Sequence, residues 1–442
     1  MQHQRSMATR LLALTLGMLC LFLTPLSALA ADRDLNYLGI TGSKNGYTTK
    51  PTVTIPSGGF PENQWISGTN PLTGEDWSGE YRPILVNIDT DPGARPNFGV
   101  SSADIIYELP LHRTGHTRSV ALFMGDVPEG GAGPVRSARI PMIDIQQEWQ
   151  AGYLFWGVQE AKGTSVRDYV REINKNLWDR NTYAYPLADG IAQRNAPYFN
   201  PKIKGYANPH DRLGLPAVLV NAGHVPVVSM RPWRFSDDGL DHGASAYHIS
   251  MEFRPDFIPS FEYNEATRSY DRYYNSEPFI DANNGEHCTF ANVIIMRTDV
   301  SWYRNNPQRP VIKMTGQGQA EIFMDGRYIR GTWVRAMSKS ASAKDIQART
   351  VFLDDRGQEI SFLPGKTFIH VVSEEQQVVI GNDPTEGDPL KGGKAMPTPK
   401  PTKTPKPTRT PRPTRTPKPS DDAVNAPLLP DVDDEGDTNF GD

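Results

Sequence analysis

Four short apolar runs between residues 82 and 158 constrain the fold most strongly. They read RPILVNI, ADIIYEL, SVALFMG and YLFWGV, and apolar side chains are nearly continuous in each. Runs of this kind are typical of strands that are covered on both faces. Helical spacing lies between and after them, at residues 135–149, where Pro141 should kink or restart the helix, and at 166–177. Strands alternating with helices predict an α/β domain over residues 81–225.

A different pattern begins after residue 226. The segment YHISMEF alternates apolar and polar residues, and FEYNEATRSYDRYY is typical of a strand, a turn and a second strand. In EIFMDGRYIRGTW, Asp325-Gly326 separates two strand-like runs, which is a strong hairpin signal because glycine tolerates a positive φ. The theme repeats in TVFLDDRGQEISFL around Arg356-Gly357. Residues 226–375 are therefore predicted to form a mostly antiparallel β domain.

The N-terminal 80 residues predict export and then an arm. Two arginines precede an apolar run over residues 11–30 that ends in Ala28-Leu29-Ala30, the small-x-small pattern of a signal-peptidase site. We expect a signal peptide at 1–30, cleaved after Ala30, and an extracellular or envelope-associated protein; a retained anchor is the alternative, against which Pro25 argues. The residues before Cys20 lack the small residue that usually precedes a lipid-bearing cysteine, so a lipid anchor there is not expected. Residues 31–80 are rich in Gly, Pro, Ser and Thr and predict an arm or linker.

The C-terminal segment, residues 376–442, predicts disorder. In KPTKTPKPTRTPRPTRTPK a cation recurs at every third residue, so a polyproline II helix would present all of them along one edge. Eight acids follow this basic stretch. The basic stretch is either a soluble spacer or a contact for an anionic polymer or lipid surface, and its threonines are potential glycosylation sites. The formal charge of the whole chain is −5, and an exported acidic protein is not expected to bind nucleic acid.

The stretch GPVRSAR, residues 133–139, is the first candidate for chemistry. If a helix starts near Val135, Arg136 and Arg139 share one face of it, and Ser137 lies beside them. Free N–H groups, the helix dipole and two guanidiniums together favour a carboxylate or phosphate. The alternative is a structural one, in which both arginines pair with acids such as Glu108 or Asp126 and lock strand ends together.

Further polar residues cluster where the second apolar run ends. Because ligands of α/β sheets bind at strand ends, we expect one cleft in the α/β domain lined by Arg95, Glu108, Arg118, Arg136, Ser137 and Arg139. For acid/base catalysis the candidates are Glu108 and His210, although His210 next to Asp211 is more typical of a helix cap with a surface histidine. His112 and His116 have a metal-like spacing, but the nearby Pro110 and Gly115 argue against a helix there.

Recognised catalytic motifs are absent from the sequence. It contains no G-x-S-x-G, H-E-x-x-H, P-loop or G-x-G-x-x-G pattern. Enzymatic activity is therefore left open, no metal or cofactor is expected, and nothing in the sequence defines an oligomeric state. The cysteine that remains after signal removal, Cys288, is expected to be a small buried hydrophobe.

Several of these segments resemble one family. ARPNFGVSSADIIYEL, TRSVALF, GPVRSAR and NPHD in the first half, with NVIIM, GQGQAEIFMDGRYIRGTWVR and LPGKTFIHVV in the second, are similar to YerB-like bacterial extracytoplasmic (lipo)proteins that carry domain of unknown function 3048. The resemblance implies an N-terminal α/β part and a C-terminal β-rich part, secreted or lipid-anchored, with no established reaction. The chain departs from the family pattern at HRTGH, at WGVQEA and at Asp211, which puts any activity that uses a family histidine in doubt.

Three functions follow from these observations. The leading one is a secreted envelope protein that binds a cell-wall glycan or another anionic envelope polymer in the cleft of the α/β domain. The second is a hydrolase or transferase on the same material, with Glu108 or His210 as acid/base. The third is an envelope scaffold anchored by its basic tail.

Overall fold

The computed structural model describes residues 39–41, 53–56, 60–79, 81–124, 128, 131–176, 187–189, 231–335 and 348–381. The elements of the first half are β1 (Gly39–Thr41), β2 (Pro83–Ile88), β3 (Ile105–Pro110), β4 (Thr117–Met124), α1 (Ile140–Trp149), β5 (Gly152–Phe155), α2 (Val166–Asn176) and β6 (Leu187–Asp189). None of the helices in these ranges is long and apolar enough to span a membrane. The apolar run at residues 11–30 lies outside the described ranges.

The second half consists of strands joined by turns. They are β7 (Arg234–Phe235), β8 (Ala244–Ser245), β9 (His248–Ser250), β10 (Pro259–Asn264), β11 (Ser269–Tyr274), β12 (Glu277–Pro278), β13 (Thr289–Phe290), β14 (Asn292–Thr298), β15 (Val300–Trp302), β16 (Pro310–Ile312), β17 (Gly316–Met324), β18 (Arg327–Arg335), β19 (Thr350–Leu353), β20 (Ser361–Phe362), β21 (Thr367–Ser373) and β22 (Val378–Gly381).

One large mixed sheet contains strands from both halves of the chain. Its order is β19-β18-β17-β14-β21-β3-β4-β2-β5-β6, with β8 added beside β18. The pairs β14–β21, β21–β3, β2–β5 and β5–β6 are parallel, whereas β4 runs antiparallel to both β3 and β2. Consequently β14, β21, β3, β2, β5 and β6 all point the same way. We call the edge at which they end the carboxyl edge of the sheet.

A second sheet is antiparallel throughout, in the order β1-β22-β9-β10-β11-β12, with β13 beside β11. It covers one face of the large sheet, and α1 covers the other. Successive residues of β2 belong to different buried clusters: Ile84 and Val86 share a cluster with Phe261 of the second sheet, whereas Leu85 shares one with Met142 of α1. Burial on both faces explains the nearly continuous apolar run that predicted β2.

These features confirm the predicted fold class, with α/β organisation first and mostly antiparallel β structure after it. The hairpin expected at Asp325-Gly326 joins β17 to β18, and both turn residues have positive φ, at 52° and 65°. Cys288 is fully buried as expected, and burial raises the pKa of its thiol to about 12. The thiol is therefore protonated at neutral pH and is not a nucleophile.

Three sequence expectations differ from the structure or lie outside it. Parts of the expected arm are built into the fold, since β1 pairs with β22 and Leu72 is fully buried. The expected boundary between residues 225 and 226 lies outside the described residues, as do His210, Asp211 and everything after residue 381. Strands from both sides of that boundary nevertheless share the large sheet, because β21 pairs with β3.

The helix expected from Val135 begins only at Ile140, and this part of the prediction is wrong. Residues 135–138 are extended instead, and their backbone groups bond to strand ends: the N–H of Arg136 donates to the carbonyl of Asn87 at 3.2 Å, and that of Ala138 to Gly157 at 3.0 Å. The Asn87 amide also donates to the carbonyls of Arg136 and Ser137, at 3.0 and 2.7 Å. Hydrogen bonds to strand ends thus take the place of the first turn of the expected helix. Pro141 lies in the first turn of the observed helix α1, where proline is tolerated.

Asp144 of α1 gives the fold a predictable pH dependence. It is buried, and the Tyr169 hydroxyl of α2 donates to it. Burial raises the pKa of Asp144 to about 6, and Arg335 and Tyr169 lower it by less. The folded state therefore holds this proton more tightly than the unfolded chain, so its contribution to stability is complete below about pH 4 and is lost as the pH rises through 6.

We expect the free energy of unfolding of the wild type to fall relative to that of Asp144→Asn by up to about 3 kcal/mol, between about pH 4 and 6. Urea unfolding at a series of pH values measures the difference. The exposed Asp237→Asn is the control and should run parallel to the wild type. Parallel curves for Asp144→Asn as well would contradict the assignment.

Candidate functional site

The carboxyl edge of the large sheet brings together most of the residues predicted to form a cleft. In open α/β sheets, ligands bind outside the carboxyl ends of parallel strands. The ends of β2 and β5 and the start of the antiparallel β4 all lie at this edge. The extended segment 135–138 crosses it, bridging to β2 at Ile88 and to Val158 just after β5. Fold topology therefore places GPVRSAR where a ligand site is expected.

Arg118, Arg136 and Ser137 converge around Asp89, the residue that follows β2. Arg136 Nε lies 2.9 Å from Asp89 Oδ2, and the Arg118 guanidinium lies 3.7 Å from the same oxygen. Arg118 also donates to the Ser137 carbonyl at 2.9 Å, while the Ser137 hydroxyl donates to the carbonyl of Trp156. The structural alternative named Glu108 and Asp126 as partners of the GPVRSAR arginines; Arg136 instead pairs with the strand-end acid Asp89, and Asp126 is outside the described residues. Sequence reasoning missed Asp89, although an acid directly after a buried strand was a usable signal.

Tyr153 adds a buried hydroxyl to this group. Its side chain is fully buried in β5, and neither its hydroxyl nor Arg118 Nε has a hydrogen-bond partner among the described residues. Burial raises the pKa of Tyr153, and the positive charges of Arg118 and Arg139 act in the opposite direction. Both guanidiniums thus lie within electrostatic reach of the phenol. Tyr153 was also missed, because it sits inside an apolar run.

We name Asp89, Arg118, Arg136, Ser137, Arg139 and Tyr153 the arginine cluster. It contains three guanidiniums and the single carboxylate of Asp89. Arg139 directly precedes α1, is half-buried, and donates to the neighbouring Ala138 carbonyl at 3.0 Å. A cluster of this composition is suited to a negatively charged or hydroxyl-bearing group.

Glu108 belongs to a separate, buried group. Its carboxylate lies 3.0 Å from Arg272 of β11 and 3.4 Å from His370 of β21, and it accepts a hydrogen bond from Thr117 at 2.5 Å. Burial raises the pKa of Glu108, while Arg272 and Thr117 lower it by less. For His370, burial and the charge of Arg272 lower the pKa well below its usual range, so the imidazole is neutral. The Glu108 side chain has no exposed surface.

Arg95 lies beside the Glu108 group rather than in the arginine cluster. Its guanidinium is 3.9 Å from the ring of Tyr274, and its Nε donates to the Thr90 carbonyl at 3.3 Å. The Thr90 hydroxyl lies 3.2 Å from Ser119, which pairs across the sheet with Glu108. The six predicted residues therefore form two adjacent groups, one partly accessible and one buried.

The histidines with metal-like spacing have other contacts. The rings of His112 and His116 meet edge to face with centroids 5.7 Å apart, and His116 Nδ1 lies 2.5 Å from Asp91, which Arg254 also binds. Elsewhere in the described ranges, His242, Asp354 and Asp355 place one ligand atom each within 4.8 Å of the others. His242 and Asp354 are half-buried and Asp355 is exposed; because Asp354 already accepts the N–H groups of Arg356 and Gln358, this trio is a weak candidate for a metal site.

Comparison with known proteins defines the class. Residues 72–208 match the N-terminal domain, and residues 249–369 the C-terminal domain, of the protein family of unknown function DUF3048. Together the two domains cover more than half of the chain, which therefore belongs to this family.

Among its relatives is the "Putative lipoprotein YerB" of Bacillus subtilis (strain 168), 24% identical over 314 residues that span 69% of this chain and 86% of YerB. The crystal structure of YerB matches with a TM-score of 0.55 and 21% identity, over 69% of this chain and 96% of that one. The fold of this chain is therefore similar to that of a solved structure.

Proposed function

We propose that this protein works in the cell envelope and binds an anionic or hydroxyl-rich ligand, of the cell-wall glycan or anionic polymer class, at the arginine cluster. The observation that carries the proposal is a pair of unused buried polar groups beside guanidiniums at a strand-end position. The buried Tyr153 hydroxyl and Arg118 Nε have no partner among the described residues. A buried polar group without a partner costs free energy, and a bound ligand would remove that cost.

The envelope location rests on two supports. The relative YerB is named a putative lipoprotein, and the sequence predicts a signal peptide cleaved after Ala30. A lipid anchor at Cys20 is a separate matter from envelope location. Cys20 lies outside the described residues, and the sequence before it lacks the small residue that usually precedes a lipid-bearing cysteine. Mass spectrometry of the mature protein distinguishes a chain that begins at Ala31 from one with a lipidated Cys20.

Glu108 supports binding more than acid/base catalysis. A general acid or base must form a hydrogen bond with its substrate, whereas the Glu108 carboxylate is already engaged by Arg272, Thr117 and His370. Its contact with Thr117, the residue before Arg118, makes it a positioning residue for the cluster. The hydrolase or transferase alternative then depends on His210.

The Tyr153→Phe variant tests the proposal with little risk to folding. Removing a buried hydroxyl that has no partner among the described residues should leave thermal stability unchanged or raise it, while binding should weaken by up to about tenfold through the loss of one hydrogen bond. Arg139→Gln should weaken binding to phosphate-bearing polymers at least as much. The measurement is titration of the mature chain with purified wall glycan, glycopeptide and phosphorylated wall polymer, alongside thermal unfolding.

Tyr273→Phe is the matched control, because Tyr273 is half-buried in the second sheet, away from the cluster. It should change neither binding nor stability. If the wild type binds none of the three materials, or if both cluster variants remain folded and bind as the wild type does, the proposal is wrong.

A further inference from the structure

A group of polar side chains lies between the two sheets, around Glu108. Glu108 of β3 and His370 of β21 are direct cross-strand partners in the large sheet. Arg272 of β11 reaches Glu108 from the second sheet, and the ring of Tyr274, two residues further along β11, lies against the guanidiniums of both Arg272 and Arg95. Arg95 comes from the loop that follows β2. We name these five side chains the buried polar layer.

Five atoms of the buried polar layer have no hydrogen-bond partner among the described residues. They are Arg95 Nη2, Arg272 Nε, the Tyr274 hydroxyl and both ring nitrogens of His370. Nδ1 of His370 lies 3.4 Å from the Glu108 carboxylate without forming a hydrogen bond. Nearly all buried polar groups in proteins are hydrogen-bonded. Five unsatisfied atoms together would cost free energy comparable with the stability of a whole domain.

The side chains of the layer converge on one another. The guanidinium carbons of Arg95 and Arg272 lie 3.9 and 4.4 Å from the centre of the Tyr274 ring. Burial and the charge of Glu108 raise the pKa of the Tyr274 hydroxyl to about 12, while Arg272 and Arg95 lower it by less. This hydroxyl is therefore within electrostatic reach of all three charged groups. Because Arg95 is only half-buried, the layer approaches the surface at that side chain.

The donors and acceptors of the layer select a neutral ligand. The two guanidiniums can only donate, whereas the neutral imidazole of His370 offers one N–H donor and one acceptor nitrogen. An anion such as chloride cannot donate to that nitrogen, and Glu108 would repel it. A cation would be repelled by Arg95 and Arg272. Water is neutral, both donates and accepts, and is the usual partner of polar groups enclosed in a protein.

We infer that the buried polar layer is a binding site for ordered internal water. A buried water usually makes about three hydrogen bonds, so about two molecules satisfy the five atoms. They connect Arg95, in the first half of the chain, to side chains of the second half, and thereby join the two sheets beside the Glu108–Arg272 ion pair. None of these side chains belongs to the arginine cluster, so the water site is independent of the proposed ligand.

A crystal structure of the mature chain, at a resolution that shows ordered water, tests this site directly. We expect density for about two water molecules, each within hydrogen-bond distance of at least two of the five atoms. A layer without ordered water, in which the side chains pair directly with one another, would overturn the inference. An ion in place of water would overturn it too.

Oxygen-17 relaxation dispersion of the solvent detects long-lived internal water in solution. His370→Phe combined with Tyr274→Phe removes three of the five atoms at nearly constant volume, and should lower the dispersion amplitude by the equivalent of about one water or more. Tyr270→Phe is the matched control: Tyr270 is also fully buried in β11, but its hydroxyl donates directly to the Ala246 carbonyl at 3.0 Å, so the amplitude should not change. Circular dichroism checks that the variants are folded. Equal amplitudes for the wild type and a folded double variant would contradict the site.

Discussion

Replacing Arg272 by methionine is expected to destabilise the folded chain by about 3–5 kcal/mol, because Glu108 then remains buried without its cationic partner. The guanidinium and the carboxylate are both fully buried and 3.0 Å apart, and the guanidinium also stacks 4.4 Å from the rings of Phe261 and Tyr274. Burial on this scale keeps bulk solvent from replacing the lost partner. Chemical unfolding followed by tryptophan fluorescence measures the change.

The matched control is Arg268→Met, four residues away in the turn between β10 and β11. Arg268 pairs with Asp325 at 2.8 Å, but its side chain is 45% exposed, so its loss should cost less than about 1 kcal/mol. Combining Glu108→Gln with Arg272→Met should cost clearly less than the sum of the two single changes, since the double variant leaves no uncompensated charge. Additive effects, or a loss below about 1 kcal/mol for Arg272→Met, would show that the pair is not coupled.

Asp281→Ala is the second change with a large expected effect, about 3–5 kcal/mol. Asp281 is fully buried, and its carboxylate accepts hydrogen bonds from the backbone N–H groups of Gly99, Ser101 and Asn283 and from the Ser101 hydroxyl, at 2.7 to 3.0 Å. Removing it leaves four donors without this acceptor, and each buried hydrogen bond to a charged group contributes about 1.5–3 kcal/mol, not fully additively. Chemical unfolding measures this loss too.

Asp281→Asn should fall between the wild type and alanine, because the amide retains one acceptor oxygen. The exposed Asp237→Ala is the control and should change stability by less than about 0.5 kcal/mol. Equal stability of Asp281→Ala and the wild type would show that the GVSS turn, residues 99–102, is held by other contacts. In this structure the GVSS turn binds the carboxylate of Asp281, which belongs to the other half of the chain.

Local patterns in the sequence predicted several of the elements. The run RPILVNI predicted β2 because burial on both faces requires apolar residues at both alternating positions, and Asp325-Gly326 predicted a hairpin because only a few residue types adopt positive φ. The start of α1 was not predictable from periodicity, since the backbone of 135–138 is bonded by Asn87, about 50 residues earlier.

The partners of the candidate site residues depend on contacts between residues that are far apart in the sequence. Glu108 and Arg272 are 164 residues apart, and no short motif links them, so the sequence predicts an available carboxylate at a strand end where the structure has a paired one. The arginines of GPVRSAR were found from sequence because they are adjacent to a turn signal. Tyr153, by contrast, looks like any other residue of a buried strand until its hydroxyl is seen to have no partner among the described residues.

The position of β21 has a consequence for how the chain acquires its structure. This strand, residues 367–373, lies between β14 and β3 and is parallel to both, so the centre of the large sheet closes only after almost all of the described chain has emerged. Such non-local pairing slows folding. Until then the apolar strands β3 and β14 each present an open edge, which is prone to intermolecular pairing. A protein built this way has its period of greatest vulnerability late in its synthesis or transport.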